Sequence, residues 1–363
     1  MSKKDLAIVF IFCAYIGGFF CYNTLSEDVE FSVQENRQLQ QGPEFSFETL
    51  LSGEFSSSYE TYVTDQFALR DNFIELKSMA EKFIGKKENN DVYISTENTL
   101  IQKFTLANYN QVDINLRYIQ NFSNFVNVPV YLTLFPTQND IYAHKLPANA
   151  PFESQKEVMD YVYNAYGNSI NVYDALMDKN DEYIFYNTDH HWTSLGAYYA
   201  YVEMAEALGK TPTPLGEKTT LSTVFNGTIY STSGVRGVTP DTIDIYTENQ
   251  KIEILDVDGL REDDLYDMSK LENKDQYEVF LGGNDPQVIL KGTGEGKVLI
   301  LKDSYTNSQV PFFLENYEEI HLIDLRFYKI AISDYVIMNR IDTVLISYSL
   351  TNFTEDTNLV FLR

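Results

Sequence analysis

Apolar and polar positions recur with different periods along this chain, and the changes of period divide it. Leu6 to Tyr22 is a run of seventeen residues without a charge, the lower limit for a helix that crosses a bilayer. Lys3 and Lys4 precede it, whereas Glu27, Asp28 and Glu30 follow, so the amino terminus is expected in the cytoplasm. A secretory signal peptide is the competing reading. No small-x-small cleavage site follows the apolar core, because Gly18-Phe19-Phe20-Cys21-Tyr22 is bulky, and an uncleaved anchor over 1–24 is the preferred reading. Both readings carry residues 25–363 out of the cytoplasm.

A helical juxtamembrane segment is expected over 25–90, with breaks at Gly42-Pro43 and Ser52-Gly53. Tyr59, Tyr62, Phe67, Phe73, Leu76, Met79 and Phe83 fall near a helical period, which predicts a helix over 55–84 that ends at Gly85. Asp65 and Arg70 read as its structural polar contacts. From Asp91 the pattern becomes α/β. Strands are expected at 92–94, 99–101, 130–135 and 171–173, and helices at 109–126, 154–166 and 194–208, the last closed by Gly209. Residues 210–292 are rich in Thr, Gly, Ser and Asp and carry short β-like runs at 242–246, 251–254 and 277–281, which suggests a β-rich insertion. Strands at 297–301, 320–323 and 343–347 then alternate with helices near 308–316 and 330–339. Such alternation predicts an α/β domain over 91–363 built on a mainly parallel sheet.

Composition narrows the function classes. The net charge of −26 opposes nucleic acid and anionic lipid, so no nucleic-acid partner is expected. Cys13 and Cys21 are the only cysteines and both lie in the apolar run, which excludes a disulfide scaffold, a cysteine-ligated zinc and a cysteine nucleophile from the main domain. The 27 Tyr and 24 Phe fill a core or line a groove for sugars; their number does not separate the two.

Two polar clusters carry candidate chemistry. Tyr186-Asn187-Thr188-Asp189-His190-His191-Trp192-Thr193-Ser194 holds two of the four histidines and the single tryptophan. Lys302-Asp303-Ser304-Tyr305 follows an apolar strand, at the carboxyl edge where α/β sheets gather their functional groups. Serine needs a base within hydrogen-bond reach, and histidine is the usual one. In an extended segment Asp189 and His191 emerge on one face, so the carboxylate can set the imidazole tautomer while the other ring nitrogen meets Ser304. His190 then points the other way, and Trp192 packs nearby and limits water. The Ser304 N–H can face a developing oxyanion. His321, inside a strand, and His144, in a loop, read as structural and exposed. Asp189, His190 and His191 are also possible metal ligands, but too few further histidines exist to complete a site. No cofactor is called for.

Thr188-Asp189-His190-His191-Trp192 resembles the signature of the bacterial DHHW proteins, which are similar to alginate O-acetyltransferases within the SGNH-hydrolase-like superfamily. Glu35-Asn36-Arg37 with Pro43, Asp65-Gln66-Phe67 with Arg70, Pro136-Thr137, Leu146-Pro147, Lys302-Asp303-Ser304-Tyr305 and Asp324-Leu325-Arg326 resemble family blocks in family order. The resemblance implies a three-layer SGNH-type domain at a bacterial cell surface. It implies Ser304 as nucleophile, His191 as general base and Asp189 as its orienter. Its partners would be a polysaccharide acceptor and a membrane-bound O-acyltransferase as acyl donor. Many SGNH enzymes have glycine where Lys302 stands. The oxyanion or substrate-binding candidates are Arg326, Asn284, Tyr305 and Trp192. An extracytoplasmic O-acetyltransferase or esterase is the first function expected; a non-catalytic glycan-binding or assembly protein on the same fold is the alternative.

Overall fold

The computed structural model describes residues 2–32, 34–35, 37–95, 97, 99–104, 107–256 and 259–363; Met1 of the expected anchor over 1–24 and Asn36 of the Glu35-Asn36-Arg37 block lie outside them. The chain divides into two compact units, residues 1–86 with 231–237, and residues 87–230 with 238–363.

In the first unit, helix α1 (Lys3–Leu25) is long and apolar enough to cross a membrane, a property it shares with signal sequences. Helices α2 (Phe47–Ser52), α3 (Glu54–Asp65) and α4 (Arg70–Phe83) follow. The single helix expected over 55–84 is therefore broken. Leu69 adopts a left-handed φ of 60°, and the side chains around the break are engaged elsewhere. Asp65 accepts from Arg37 Nη1 and Nη2 and from the Gln40 N–H, while Gln66 bonds both backbone groups of Val29. Glu35 joins Arg37 to Arg70, at 2.7 and 2.5 Å. The supporting sequence blocks thus meet in one ion-pair network, and burial of Asp65 is compensated by charged donors.

In the second unit, seven strands form the main sheet among the described residues: β1 (Val130–Phe135), β2 (Lys251–Asp256), β3 (Gly259–Asp264), β4 (Gln287–Lys291), β5 (Lys297–Lys302), β6 (Glu319–Ile323) and β7 (Thr343–Ser349), in the order β3-β2-β4-β6-β5-β7-β1. Strands β6, β5, β7 and β1 pair in parallel, whereas β4 against β6, β2 against β4 and β3 against β2 are antiparallel. The sheet is consequently mixed rather than mainly parallel. Part of the expected insertion extends it, and 219–225 with 241–245 form a separate two-stranded sheet. Val298, Leu299, Ile300 and Leu301 of β5 are wholly buried, the continuous apolar run of a strand with parallel neighbours on both sides.

Helices α5 (Tyr109–Phe125), α6 (Gln155–Tyr166), α7 (Ser194–Ala207) and α8 (Ile332–Asn339) match the predicted periodicity. Thr193 caps α7 by accepting from the Gly196 N–H. Glycine is required at 196 because a Cβ would stand 2.3 Å from the Ile184 carbonyl oxygen. Three expectations fail locally. Asn171 Oδ1 accepts from the Tyr173 N–H, so 171–173 turns into the short helix Tyr173–Met177 instead of a strand. Residues 276–279 form a 3-10 turn, and the left-handed Leu281, Gly282 and Gly283 follow. Over 308–316 the chain is a 3-10 turn (Ser304–Ser308) leading into a short helix with Pro311 in its first turn.

Candidate active site

Strand β5 ends at Lys302, and the next residue fixes the turn that carries Ser304. Asp303 Oδ1 accepts from the Tyr305 N–H, and its Oδ2 accepts from the Ser349 N–H and from Asn352 Nδ2 at the end of β7. Ser304 opens the 3-10 turn, so its N–H is among the amides that such a turn leaves without an internal partner. Asn307 belongs to the same 3-10 turn, three residues after Ser304. Asn307 Oδ1 accepts from Lys302 Nζ at 2.7 Å, and Asn307 Nδ2 donates to Gly283 O and Asn284 Oδ1. Lys302 Nζ also donates to Asn284 Oδ1. Burial of this ammonium brings the Lys302 pKa down to about 8.

The structure brings Asp189, His191 and Ser304 together. His191 Nε2 lies 2.8 Å from Ser304 Oγ, and His191 Nδ1 lies 2.5 Å from Asp189 Oδ1. The local backbone is bent rather than extended: the His191 N–H also bonds Asp189 Oδ1, at 3.0 Å, in an Asx-type turn. Gln138 Nε2 holds the bend from behind by donating to the carbonyls of Tyr186 and Asp189. Because of the bend His190 does not point away. Its ring centroid is 3.9 Å from that of His191, and Nδ1 meets Thr228 Oγ1 at 2.7 Å.

Asp189 is fully buried. Desolvation acts to raise its pKa, but the imidazoles of His190 and His191, the His191 hydrogen bond and the Thr228 N–H outweigh it and hold the carboxyl well below the usual range. Thr228 donates to Oδ2 through both N–H and Oγ1, at 2.8 and 2.9 Å. With that hydroxyl proton on Asp189, Thr228 Oγ1 accepts from His190 Nδ1–H, leaving His190 Nε2 as the acceptor nitrogen. Burial, then the neighbouring His191, lowers the His190 pKa and keeps the ring neutral.

Tyr277 lies flat on His191, ring centroids 3.8 Å apart and planes 6° apart, and its hydroxyl donates to Ser304 O and Ser308 Oγ. Nothing in the sequence marks Gln138, Gly227 or Thr228 for the site, and Tyr277 reads there only as the start of a β-like run, for each acts across a long stretch of chain and none sits in a motif.

The accessory candidates are placed differently. Trp192 has no exposed surface; its Nε1 donates to Tyr305 O and Ser308 Oγ, and its ring packs on Phe135. Tyr305 is buried, its hydroxyl donates to the His190 carbonyl and its N–H is taken by Asp303. Both are framework rather than substrate contacts, because their polar groups are already satisfied inside the protein. Arg326 is forked onto Asp324, which also takes the Arg326 N–H, and it lines a cavity of about 200 Å³ with Asp303, Tyr348 and Asn352. Asn284 is exposed, and its carbonyl oxygen is held by Lys302 and Asn307. His321 is buried against Tyr335 and Glu319, and His144 is exposed.

Ligand atoms of Asp189, His190 and His191 lie within 4.8 Å of one another. A cation there would compete with existing bonds, since both nitrogens of His191 and Nδ1 of His190 already have partners.

The DHHW protein model matches residues 110–323, more than half of the chain. The protein belongs to the DHHW family. Comparison with curated protein sequences returns no match. Among solved structures, a DHHW family protein from Eubacterium siraeum superposes with a TM-score of 0.65 at 24% identity, covering 76% of this chain and 95% of that one. Bacillus cereus PatB1 with a sulfonyl adduct gives 0.63 at 20% identity over 75% and 98% of the two chains, and PatB1 without the adduct gives 0.60 at 21% over 74% and 98%. These likenesses are of fold, a mixed α/β domain that covers about three quarters of this chain.

Proposed function

We propose that this DHHW protein is an extracytoplasmic O-acetyltransferase or esterase that acts on a cell-surface or secreted polysaccharide through an acyl-serine intermediate. The observation that carries the reading is the unbroken hydrogen-bonded line from Asp189 through His191 to Ser304 Oγ. With Asp189 ionised, His191 carries its proton on Nδ1 and presents a basic Nε2 to the serine hydroxyl. Ser304 Oγ then attacks the acyl carbonyl carbon and its proton passes to Nε2. The tetrahedral oxyanion forms beside the Ser304 N–H. Collapse expels the donor's leaving group, which takes the proton from His191. In the second half a sugar hydroxyl, or water, gives its proton to Nε2 and attacks the acyl carbon; the adduct then collapses by breaking the bond to Ser304 Oγ, which takes that proton back from Nε2 and leaves the acetylated sugar, or acetate, as product. Flat stacking of Tyr277 on the imidazole supports this role by restricting ring rotation.

Two settings belong to the same reading. The second unit is an SGNH-type three-layer domain, with Ser304 at the carboxyl edge of the parallel strands. Helix α1 is retained as an anchor, with a membrane-bound O-acyltransferase as acyl donor. Packing of Phe19 on Phe67 and Phe73, and the Ala68 N–H bond to Asn23 Oδ1 at 2.7 Å, support retention. A cleaved signal would strip those partners away.

Trapping tests the chemistry. The protein is incubated with 4-nitrophenyl acetate, quenched in acid and mapped by mass spectrometry, with an acetyl group expected on Ser304. A sulfonyl fluoride, chosen because PatB1 is known with a sulfonyl adduct, should label the same residue and stop turnover. Wild-type turnover by a folded Ser304→Ala variant would remove the serine from the mechanism.

A further inference from the structure

Outside the candidate site, the most unusual surface belongs to the first unit. Leu69, at the entry to helix α4, and Phe73, Leu76, Met79 and Phe83 within it are exposed at intervals of three and four residues, and Ile84 follows. That spacing makes one stripe along the helix. Phe83 is 93% exposed and Leu76 62%. The opposite side is polar and partly packed: Asp71 and Glu75 are exposed, while Ser78 is buried and accepts from the Arg236 N–H. An apolar stripe of this length is not left open to water on a soluble surface without consequence.

The contact with α1 says how deep the stripe begins. Phe19 stacks on Phe67 and meets Phe73 edge-on, with centroids 5.4 and 5.7 Å apart, and Asn23 accepts from Ala68. Phe19 lies six residues before the end of α1 at Leu25, which is about 9 Å at the helical rise of 1.5 Å per residue. If α1 spans a bilayer, the start of α4 is therefore held below the level at which α1 emerges. Amphipathic helices that lie in a membrane surface bury their apolar face by about 5–10 Å, the same depth.

We propose that α4 is an interfacial helix, its Leu69–Phe83 stripe seated in the outer leaflet of the membrane that α1 crosses. The ligand is the lipid surface, taken up by apolar burial; the strongly negative chain gives no electrostatic attraction to anionic headgroups. Seating on two elements, one crossing and one lying flat, fixes the first unit at the bilayer in a way a lone anchor on a flexible tether does not. The inference rests on the anchor reading given above, and its test separates the two.

The full chain is reconstituted in phosphatidylcholine vesicles as single-cysteine variants. Cys13→Ser with Cys21→Ser supplies the background, into which Leu76→Cys, Phe83→Cys or Glu75→Cys is introduced; Cys21→Ser alone keeps Cys13 within α1. Each carries an environment-sensitive dye. Quenching by nitroxide-bearing lipid is compared with quenching by iodide in the water. Labels at 76 and 83 are expected to be quenched by the lipid probe several-fold more than the label at 75, which iodide should reach. Lipid quenching at Cys13 with iodide-accessible 76 and 83 overturns the proposal while leaving the anchor in place. Failure of lipid quenching at Cys13 itself sinks the anchor reading, and the proposal with it. Labels at 76 and 83 shielded from both probes would mean that protein covers the stripe, which also overturns it.

Discussion

Gly227→Ala probes whether the carboxylate behind His191 must stand where it does. Gly227 is not in the left-handed region, so alanine can adopt its backbone and the effect is steric. The added Cβ would fall 2.3 Å from Asp189 Cβ, 2.4 Å from Oδ2 and 2.7 Å from Cγ. Carbon atoms prefer about 3.5–4.0 Å, so one partner has to move by roughly 1 Å or more. Asp189 has little room to yield: it is buried and held by His191 Nδ1, the His191 N–H and both donors of Thr228. Overpacking of this kind costs about 1–3 kcal/mol, and a misplacement near 1 Å in a catalytic group costs on the order of 10²-fold in rate.

The assay pairs thermal unfolding with initial rates on 4-nitrophenyl acetate and the fraction of Ser304 acylated after a brief incubation. Gly227→Ala is expected to melt a few degrees lower, to remain folded at 25 °C and to lose about two orders of magnitude in acylation rate. Its loss should appear in kcat more than in KM, because residue 227 is buried against Asp189. Near wild-type acylation in a variant whose melting temperature has fallen would refute the reasoning: Asp189 would have moved without consequence, and the carboxylate could not be what orients the imidazole.

Three other outcomes are expected. Tyr277→Phe keeps the ring on His191 and should retain most turnover, whereas Tyr277→Leu loses the flat face and should drop at least about tenfold beyond its effect on stability; equal rates in the two would rule out stacking as the positioning contact. Gln138→Leu leaves the Tyr186 and Asp189 carbonyls without their donor and should destabilise by about 2–4 kcal/mol, read from denaturant midpoints. Burial, followed by the nearby Asp189 charge, raises the Asp275 pKa to about 6. Since 3.8 is its ordinary value, the folded state binds more protons than the unfolded one between those limits, and stability falls as pH rises through that window. Asp275→Asn should thus gain about 1–2 kcal/mol at pH 7.5, allowing for partial exposure, and nothing at pH 3.5. A pH-independent gain would show that the carboxyl's ionisation is not its source.

What could be read before folding was whatever the chain writes locally. Strand β1 declares itself by a dense apolar run opening after Pro129, and α7 by a threonine cap followed by three apolar turns. Asp189 and His191 are two residues apart, so their meeting is nearly local, and Ser304 is marked by the strand that ends just before it. The mixed sheet was not legible. Pairing of β2 with β4 and of β4 with β6 depends on which edge was left open, and a β-like run over 251–254 looks alike in a separate subdomain and in an extended sheet. Nor was the bend at 189–191 legible. A strand and an Asx turn both bring residues i and i+2 to one side, so the convergence was foreseen for the wrong backbone, and His190 was sent the wrong way.

The same distinction explains why the supports of the candidate site escaped notice while its three polar members did not. Asp189, His191 and Ser304 have side chains suited to proton transfer, and such types are conspicuous in a sequence with only four histidines. Gly227 contributes by having no side chain at all, and Gln138 by bonding backbone carbonyls, which any sequence possesses. Tyr277 is one of 27 tyrosines, and nothing in the sequence marks it as one that lies parallel to an imidazole. Residue type announces reactive groups; it is silent about space, amide partners and ring planes. The proposed proton relay needs all of these, because a 2.8 Å contact between His191 and Ser304 is useful only while the ring is held in the plane that makes it. The part of the site that chemistry names is therefore short and readable, and the part that holds it in register is spread over the second unit and became visible only in three dimensions.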